Sequence, residues 1–183
     1  MPAPTEYSRS QIVLHWLMFV LFAVALVAIE WRGNIPRDGG QAMRSTLMSF
    51  HIGAGLLVFL FAFVRLGIRL NAGAPAILGD AAWQRASAHA LHWALYIVMF
   101  ALPLSGVVFV QAGGREVAFF GMNLPHLVAP DPALRSFVHD AHEFLGNAVY
   151  ALVGIHIVAS LWHHFVLKDD TLRRIRPGYR ANN

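Results

Sequence analysis

The chain is 183 residues long, 57% apolar and only 13% charged, with a mean hydropathy of +0.52; soluble domains are about a quarter charged, so composition excludes an ordinary water-soluble globule and favours an integral membrane protein. Cysteine is absent, which excludes disulfides, thiolate-held metal clusters and any group tethered through sulfur. The net charge of +4 is modest, and the ten histidines are the residues that need explaining.

In chain order, Ile12–Ile29, Ser45–Val64, Ala86–Val110 and Phe144–Val166 contain no Asp, Glu, Lys or Arg. A hydrocarbon layer of about 30 Å takes roughly 20 helical residues, so each run predicts a spanning helix. We place the helices over 8–32, 45–70, 82–112 and 137–167. Pro103 falls inside the third and is expected to kink it, since neighbouring helices can satisfy the freed carbonyl. Gly, Pro and charge mark the connections 30–44, 65–85 and 111–140. The expectation is an all-α fold, an integral membrane four-helix bundle forming a single domain over residues 1–183. Ala23-Val24-Ala25 resembles a signal-peptide cleavage site, but His15 inside the apolar run and a lone preceding Arg9 argue against that reading.

Basic residues set the orientation. Arg9, Arg65, Arg69, Arg85, Lys168, Arg173, Arg174, Arg176 and Arg180 fall on one side, nine in all; Arg32, Arg37, Arg44, Arg115 and Arg135 fall on the other, five in all. The reading is a four-pass chain with both termini in the cytoplasm. The basic C-terminal tail reads as a topology signal and a contact for anionic membrane lipid, not for nucleic acid.

Ionisable residues within a bilayer are costly and by default functional. His15 lies near the inner end of the first segment and His51 near the outer end of the second. His142 opens the fourth on the outer side, and His156 follows fourteen residues later. That is almost four turns, so the two share a face about 21 Å apart. The distance excludes one metal ion shared by both and suits two large cofactors stacked across the membrane. Matching depths pairs His15 with His156 and His51 with His142. Two imidazoles on opposite faces of a porphyrin iron make a closed one-electron centre, with no open position for substrate. Arg65, Arg69 and Arg44 are candidate donors to the haem carboxylates. Gly55, Gly146 and Ser160, each four residues after a candidate ligand, would let a flat ring lie near the backbone; small residues also serve helix packing alone. For each histidine the bland alternative is a hydrogen-bonded contact between helices. A histidine-based metal transporter is a further rival.

The motifs carry a family resemblance over nearly the whole chain. They are Tyr7-Ser8-Arg9 with Gln11-Ile12 and His15-Trp16; Glu30-Trp31-Arg32-Gly33; His51-Ile52-Gly53 with Arg65 and Arg69; and His89-Ala90-Leu91-His92. Ala101-Leu102-Pro103, His142-Glu143, Gly154-Ile155-His156, His163-His164-Phe165 and Lys168-Asp169-Asp170-Thr171-Leu172 complete them. The chain resembles the bacterial cytochrome b561 family of four-helix, di-haem inner-membrane cytochromes, which includes superoxide oxidase. The resemblance implies two haem b groups per chain, an inner one on His15 and His156 and an outer one on His51 and His142. It implies a quinone site at the cytoplasmic side lined by His92 and His163. The 71–85 loop lacks the lysine that can contact quinone in superoxide oxidase; Arg85 is the candidate substitute, with different reach and geometry. It also implies electron flow from periplasmic superoxide to ubiquinone, in the bacterial inner membrane. The alternative is a membrane anchor relaying electrons between a redox partner protein and the quinone pool.

The remaining histidines read more plainly. His89 would support cofactor or loop, and His126, His139 and His164 read as surface or interfacial residues. His139-Asp140-Ala141-His142 has a zinc-ligand spacing, but His142 is better used by haem. Five outer arginines would attract a small anion, yet Glu30, Asp38, Glu116, Asp131, Asp140 and Glu143 leave the outer side with a summed charge of about −1.

Overall fold

The computed structural model describes residues 4–79 and 81–178; Arg180, counted above among the inner cations, lies outside them. Four long helices dominate: α1 (Arg9–Asn34), α2 (Gln41–Ala72), α3 (Ala82–Ala112) and α4 (Pro132–Trp162), the last prolonged by a π-helical turn over His163–Leu167. Each is long and apolar enough to cross a membrane. The α3–α4 connection holds a two-stranded hairpin, β1 (Ala118–Phe119) and β2 (Met122–Asn123), with Ala118 opposite Asn123. Phe120 and Gly121 at its tip have φ of 49° and 79°, the left-handed pair that a two-residue hairpin turn demands. The fold is a membrane four-helix bundle.

The helix ends lie where capping chemistry puts them. Ser8 accepts the Gln11 N–H at 3.3 Å while the Gln11 side chain accepts the Ser8 N–H at 2.8 Å, a reciprocal cap at the start of α1. The same Gln11 donates to the Gly73 carbonyl at 2.7 Å, tying the start of α1 to the end of α2. Helix α4 begins at Pro132, ahead of the expected 137, because Asp131 accepts the Ala133 and Leu134 N–H groups and Pro is preorganised at the first helical position. Helix α2 likewise begins at Gln41 instead of 45. Hydropathy marks the membrane-immersed part of a helix, whereas caps mark its end. Helix α3 runs unbroken through Pro103.

Helix α1 packs on α2, α2 on α3 and α3 on α4. The core joins Met18 and Leu21 of α1, Val58 and Ala62 of α2, and Tyr96 and Met99 of α3. Small side chains such as Ala62 let these helices approach closely, and close van der Waals packing is what joins helices in lipid. Helix α4 adds one buried side chain, Val149. Large apolar residues such as Val13, Phe19, Val20 and Ile155 face outward, as a lipid-immersed surface requires. Two polar side chains pin the α1–α2 and α3–α4 connections. Arg44 donates to the Arg32 and Ile35 carbonyls at 2.9 and 2.7 Å, so its guanidinium holds the α1–α2 turn. Gln111, fully buried, donates to the Pro125 carbonyl and accepts the Leu127 N–H.

Candidate functional site

Helices α1, α2 and α4 bring four histidines into two pairs. His51 on α2 faces His142 on α4 with ring centroids 6.2 Å apart. The rings of His15 on α1 and His156 on α4 are 6.0 Å apart. Metal–imidazole bonds are about 2 Å long, so two rings clamping one ion stand roughly 6 Å apart, centroid to centroid. The separation within each pair would suit two imidazoles holding one haem iron between them.

The outer pair is also held in the tautomer that ligation needs. His51 Nδ1 donates to the Ala25 carbonyl at 2.8 Å. His142 Nδ1 lies 3.1 Å from the Leu102 carbonyl and 2.9 Å from the Ser105 hydroxyl. With a proton on Nδ1, each ring keeps Nε2 for a metal, and such partners orient a ligating imidazole and raise its basicity. Gly106 allows the close approach: a Cβ there would lie 3.2 Å from His142 Cε1. A Cβ at Gly55 or Gly146 would meet nothing within 4 Å, so both leave open backbone one turn from His51 and His142.

The inner pair is held differently. Arg65, expected to reach for a cofactor carboxylate, has Nη2 at 3.4 Å from His15 Nδ1 and Nη1 at 3.5 Å from the Gln11 carbonyl. His92 joins this group, its ring 5.6 Å from that of His156. The His92 Nδ1 is buried with no hydrogen-bond partner among the described residues, a polar atom that a ligand with a hydrogen-bonding group would satisfy.

His163 is engaged elsewhere. The π turn ends at Lys168 in a left-handed conformation, φ 54°, and the chain doubles back. His163 Nδ1 then donates to Asp169 Oδ2 at 2.5 Å, while Asp169 Oδ1 accepts the Thr171 N–H at 2.8 Å. Trp16 donates to the Ile175 carbonyl and Arg174 to the Ala76 carbonyl, so the tail is strapped to α1 and to the α2–α3 loop. Arg85 is exposed on the first turn of α3 and donates to the Gly79 carbonyl at 2.7 Å.

Partial burial raises the affinity of the Asp169 carboxylate for a proton, but hydrogen bonds from His163 and Thr171 outweigh it and hold the carboxyl below its ordinary value. A carboxyl depressed on folding stabilises the folded state fully above its unfolded value of about 3.9, and that contribution is lost as pH falls through the lower folded value. Hydrogen exchange at the Thr171 amide, corrected for intrinsic rates, is therefore expected to stay slow from neutral pH down to about 4 and to rise only below it. Loss of protection already at pH 6 would contradict this.

Away from these clusters the histidines are surface groups. His126 pairs with Glu116 at 2.8 Å, and His139 lies 3.3 Å from Asp140 with its ring 5.1 Å from that of Phe109. His142 turns inward instead, which separates the two ends of the zinc-like spacing. Among the described residues no three His, Asp or Glu side chains group as a metal site. The sequence reading missed Ser105 and the Ala25 and Leu102 carbonyls, and gave Asp169 no role. Carbonyls leave no trace in a sequence, but an acidic residue six positions after His163, just past the helix, was a readable signal.

The family model for prokaryotic cytochrome b561 matches residues 6–178. Cytochrome b561 homolog 1 of Escherichia coli (strain K12) is 34% identical over 173 residues, covering 94% of this chain and 97% of that protein. A Yersinia pestis protein named as a probable superoxide oxidase, CybB, is 32% identical over 177 residues, covering 96% and 98%. Cytochrome b562 of Cereibacter sphaeroides is 28% identical over 180 residues, covering 93% and 96%.

Proposed function

Since the chain belongs to the prokaryotic cytochrome b561 family, and is thereby a membrane electron-transfer protein of b-type haem, we propose that it oxidises superoxide on the periplasmic side and reduces ubiquinone on the cytoplasmic side. It binds two haems, the inner on His15 and His156 and the outer on His51 and His142. The observation that carries this reading is the outer pair: rings 6.2 Å apart, each with Nδ1 held by a backbone carbonyl. When bound, a haem closed on both faces supplies one-electron transfer and leaves no iron position for substrate.

The chain's own residues do the rest. Ala25, Leu102 and Ser105 set the ligand tautomers. The apolar faces of all four helices keep water away from the bundle. His163, and His92 beside the inner pair, serve a quinone at the cytoplasmic end, His163 by hydrogen-bonding a quinone carbonyl; Arg85 substitutes for the loop lysine that can contact quinone in superoxide oxidase. Two superoxide anions are oxidised to dioxygen for each quinone reduced, and two protons are taken up from the cytoplasm. The excess of basic residues at the 65–85 loop and the tail supports a bacterial inner-membrane location with both termini inside. The name carried by the Yersinia pestis relative supports superoxide as the donor.

One observation favours a second reading, an anchor that relays electrons from a redox partner protein: the outer-side charge of about −1 offers superoxide no net attraction. Purified protein given superoxide and a soluble ubiquinone, with no partner present, decides between them. Quinol formation together with sharp reduced α-bands is the expected result. Quinone that stays oxidised while the haem is intact selects the relay. A colourless, zinc-loaded protein rejects both in favour of a metal transporter.

A further inference from the structure

We propose that Asp169 is a positioning residue for proton delivery to the quinone: its carboxylate holds the His163 imidazole by Nδ1–H and leaves Nε2 as the ring nitrogen that exchanges a proton with the quinone oxygen. The inference rests on the quinone role of His163 given above and adds the group that controls it.

Three features of the chain build this dyad. First, the C-terminal end of α4 is shaped to bring Asp169 back over His163. The backbone N–H groups of Lys168 and Asp169 both return to the His163 carbonyl, the latter at 3.1 Å, so main chain and side chain of Asp169 bind one residue. A π turn at this place is rare in helices and frequent at functional sites. Second, the carboxylate is divided: Oδ1 is taken by the Thr171 N–H and Oδ2 by His163 Nδ1. One oxygen anchors the carboxylate and the other holds the ring. Third, the support is rigid, because Trp16 and Arg174 fasten the tail on either side of the bundle end and Asp170 pairs with Arg173 at 3.3 Å. His163 and Asp169 are 19% and 24% exposed, which shelters the ring while leaving cytoplasmic water a route to it.

The chemistry balances. Quinone takes two electrons, supplied by two superoxide anions, and two protons to give quinol. In each protonation the Nε2–H bond of a doubly protonated His163 breaks, its electron pair stays on Nε2, and an O–H bond forms on the reduced quinone. Nδ1–H remains bonded to Asp169 throughout, and water restores the Nε2 proton before the second transfer. A carboxylate opposite Nδ1 orients the ring and sets its tautomer after transfer.

Asparagine separates this role from a packing role. Its amide has one oxygen, and the Thr171 N–H claims it; the NH₂ group then faces His163 Nδ1, whose other neighbour is the Thr171 hydroxyl at 3.3 Å, and favours that nitrogen as an acceptor. The neutral ring is driven to the opposite tautomer, with its proton on Nε2. The test uses the haem-loaded protein in detergent, reduced so that its haem iron is diamagnetic, with ring-¹⁵N histidine. The His163 signals are assigned by their loss in His163→Ala, and spectra are taken at a pH where the ring is neutral. The wild-type ring is expected to carry its proton on Nδ1, and the Asp169→Asn ring on Nε2. With decylubiquinone, kcat of Asp169→Asn is expected to fall about 10²-fold, the lower end of what general acid–base groups contribute. KM and the haem spectrum stay unchanged, and Asp169→Glu recovers part of the rate. An unchanged tautomer and kcat in Asp169→Asn overturns the proposal. So does a wild-type ring with its proton on Nε2, a measurement that stands even if the variant fails to fold. Full quinone reduction by His163→Ala, by contrast, overturns the quinone role of His163 itself.

Discussion

Replacing His142 or His51 by alanine is expected to halve the haem bound per chain, from two to one, and to remove the outer centre from the reduced spectrum. His15→Ala or His156→Ala is expected to remove the other centre. Loss of a hydrogen-bond partner behind a metal ligand already costs about 10–100-fold in affinity. Loss of the ligand itself leaves one face of the porphyrin unheld, and its cost is greater. The variants should still fold, because the core is built by α1, α2 and α3 and none of the four histidines belongs to it. Haem content per chain and the low-temperature α-bands check this. Equal loss of both centres from all four substitutions would reject the pairing, and retention of both haems would reject the ligands.

Gly106→Val is expected to produce the same loss of the outer haem without touching a ligand. A Cβ at Gly106 stands 3.2 Å from His142 Cε1 and 3.6 Å from its Nδ1. Alanine is therefore already tight, and the ring must yield by a few tenths of an ångström. The two γ-carbons of valine need space that the imidazole occupies. Overpacking of this kind costs about 1–3 kcal/mol when the neighbours absorb it. Here the neighbour is a single side chain whose Nδ1 is bonded to Leu102 and Ser105, so the strain goes into breaking those bonds and turning the ring. Haem content is expected to fall toward one per chain in Gly106→Val and to an intermediate value in Gly106→Ala, with the inner centre unchanged. Full outer-haem occupancy in Gly106→Val would show that the contact does not hold His142.

The two predictions draw on different levels of information. Residues 142 and 156 stand fourteen apart on one helix, and that number sets their separation along α4 because helical rise is constant. Gly106 matters only because α3 lies against α4. Arg44 shows the same limit: its hold on two carbonyls of the α1–α2 turn is a contact that no local pattern announces. Arg65 lies against His15, a contact its sequence position did not announce. A long flexible cation bonds whatever acceptor the packing brings within reach, and packing is not written in local pattern. Asp169 belongs to the same class. Its position six residues after His163 was visible, but the π turn and left-handed Lys168 that fold it back were not.

The sequence was enough to read four helices long and apolar enough to cross a membrane, and the separation of His142 and His156 along one of them. Those properties follow from residue polarity and from a fixed rise per residue, both of which are local. The packed helices were needed to show which carbonyls hold His51 and His142, which glycine makes room for His142, and which carboxylate stands behind His163. Those are contacts between distant stretches of chain, and a hydrogen bond acts only over about 3 Å, so nothing short of the packed bundle specifies them.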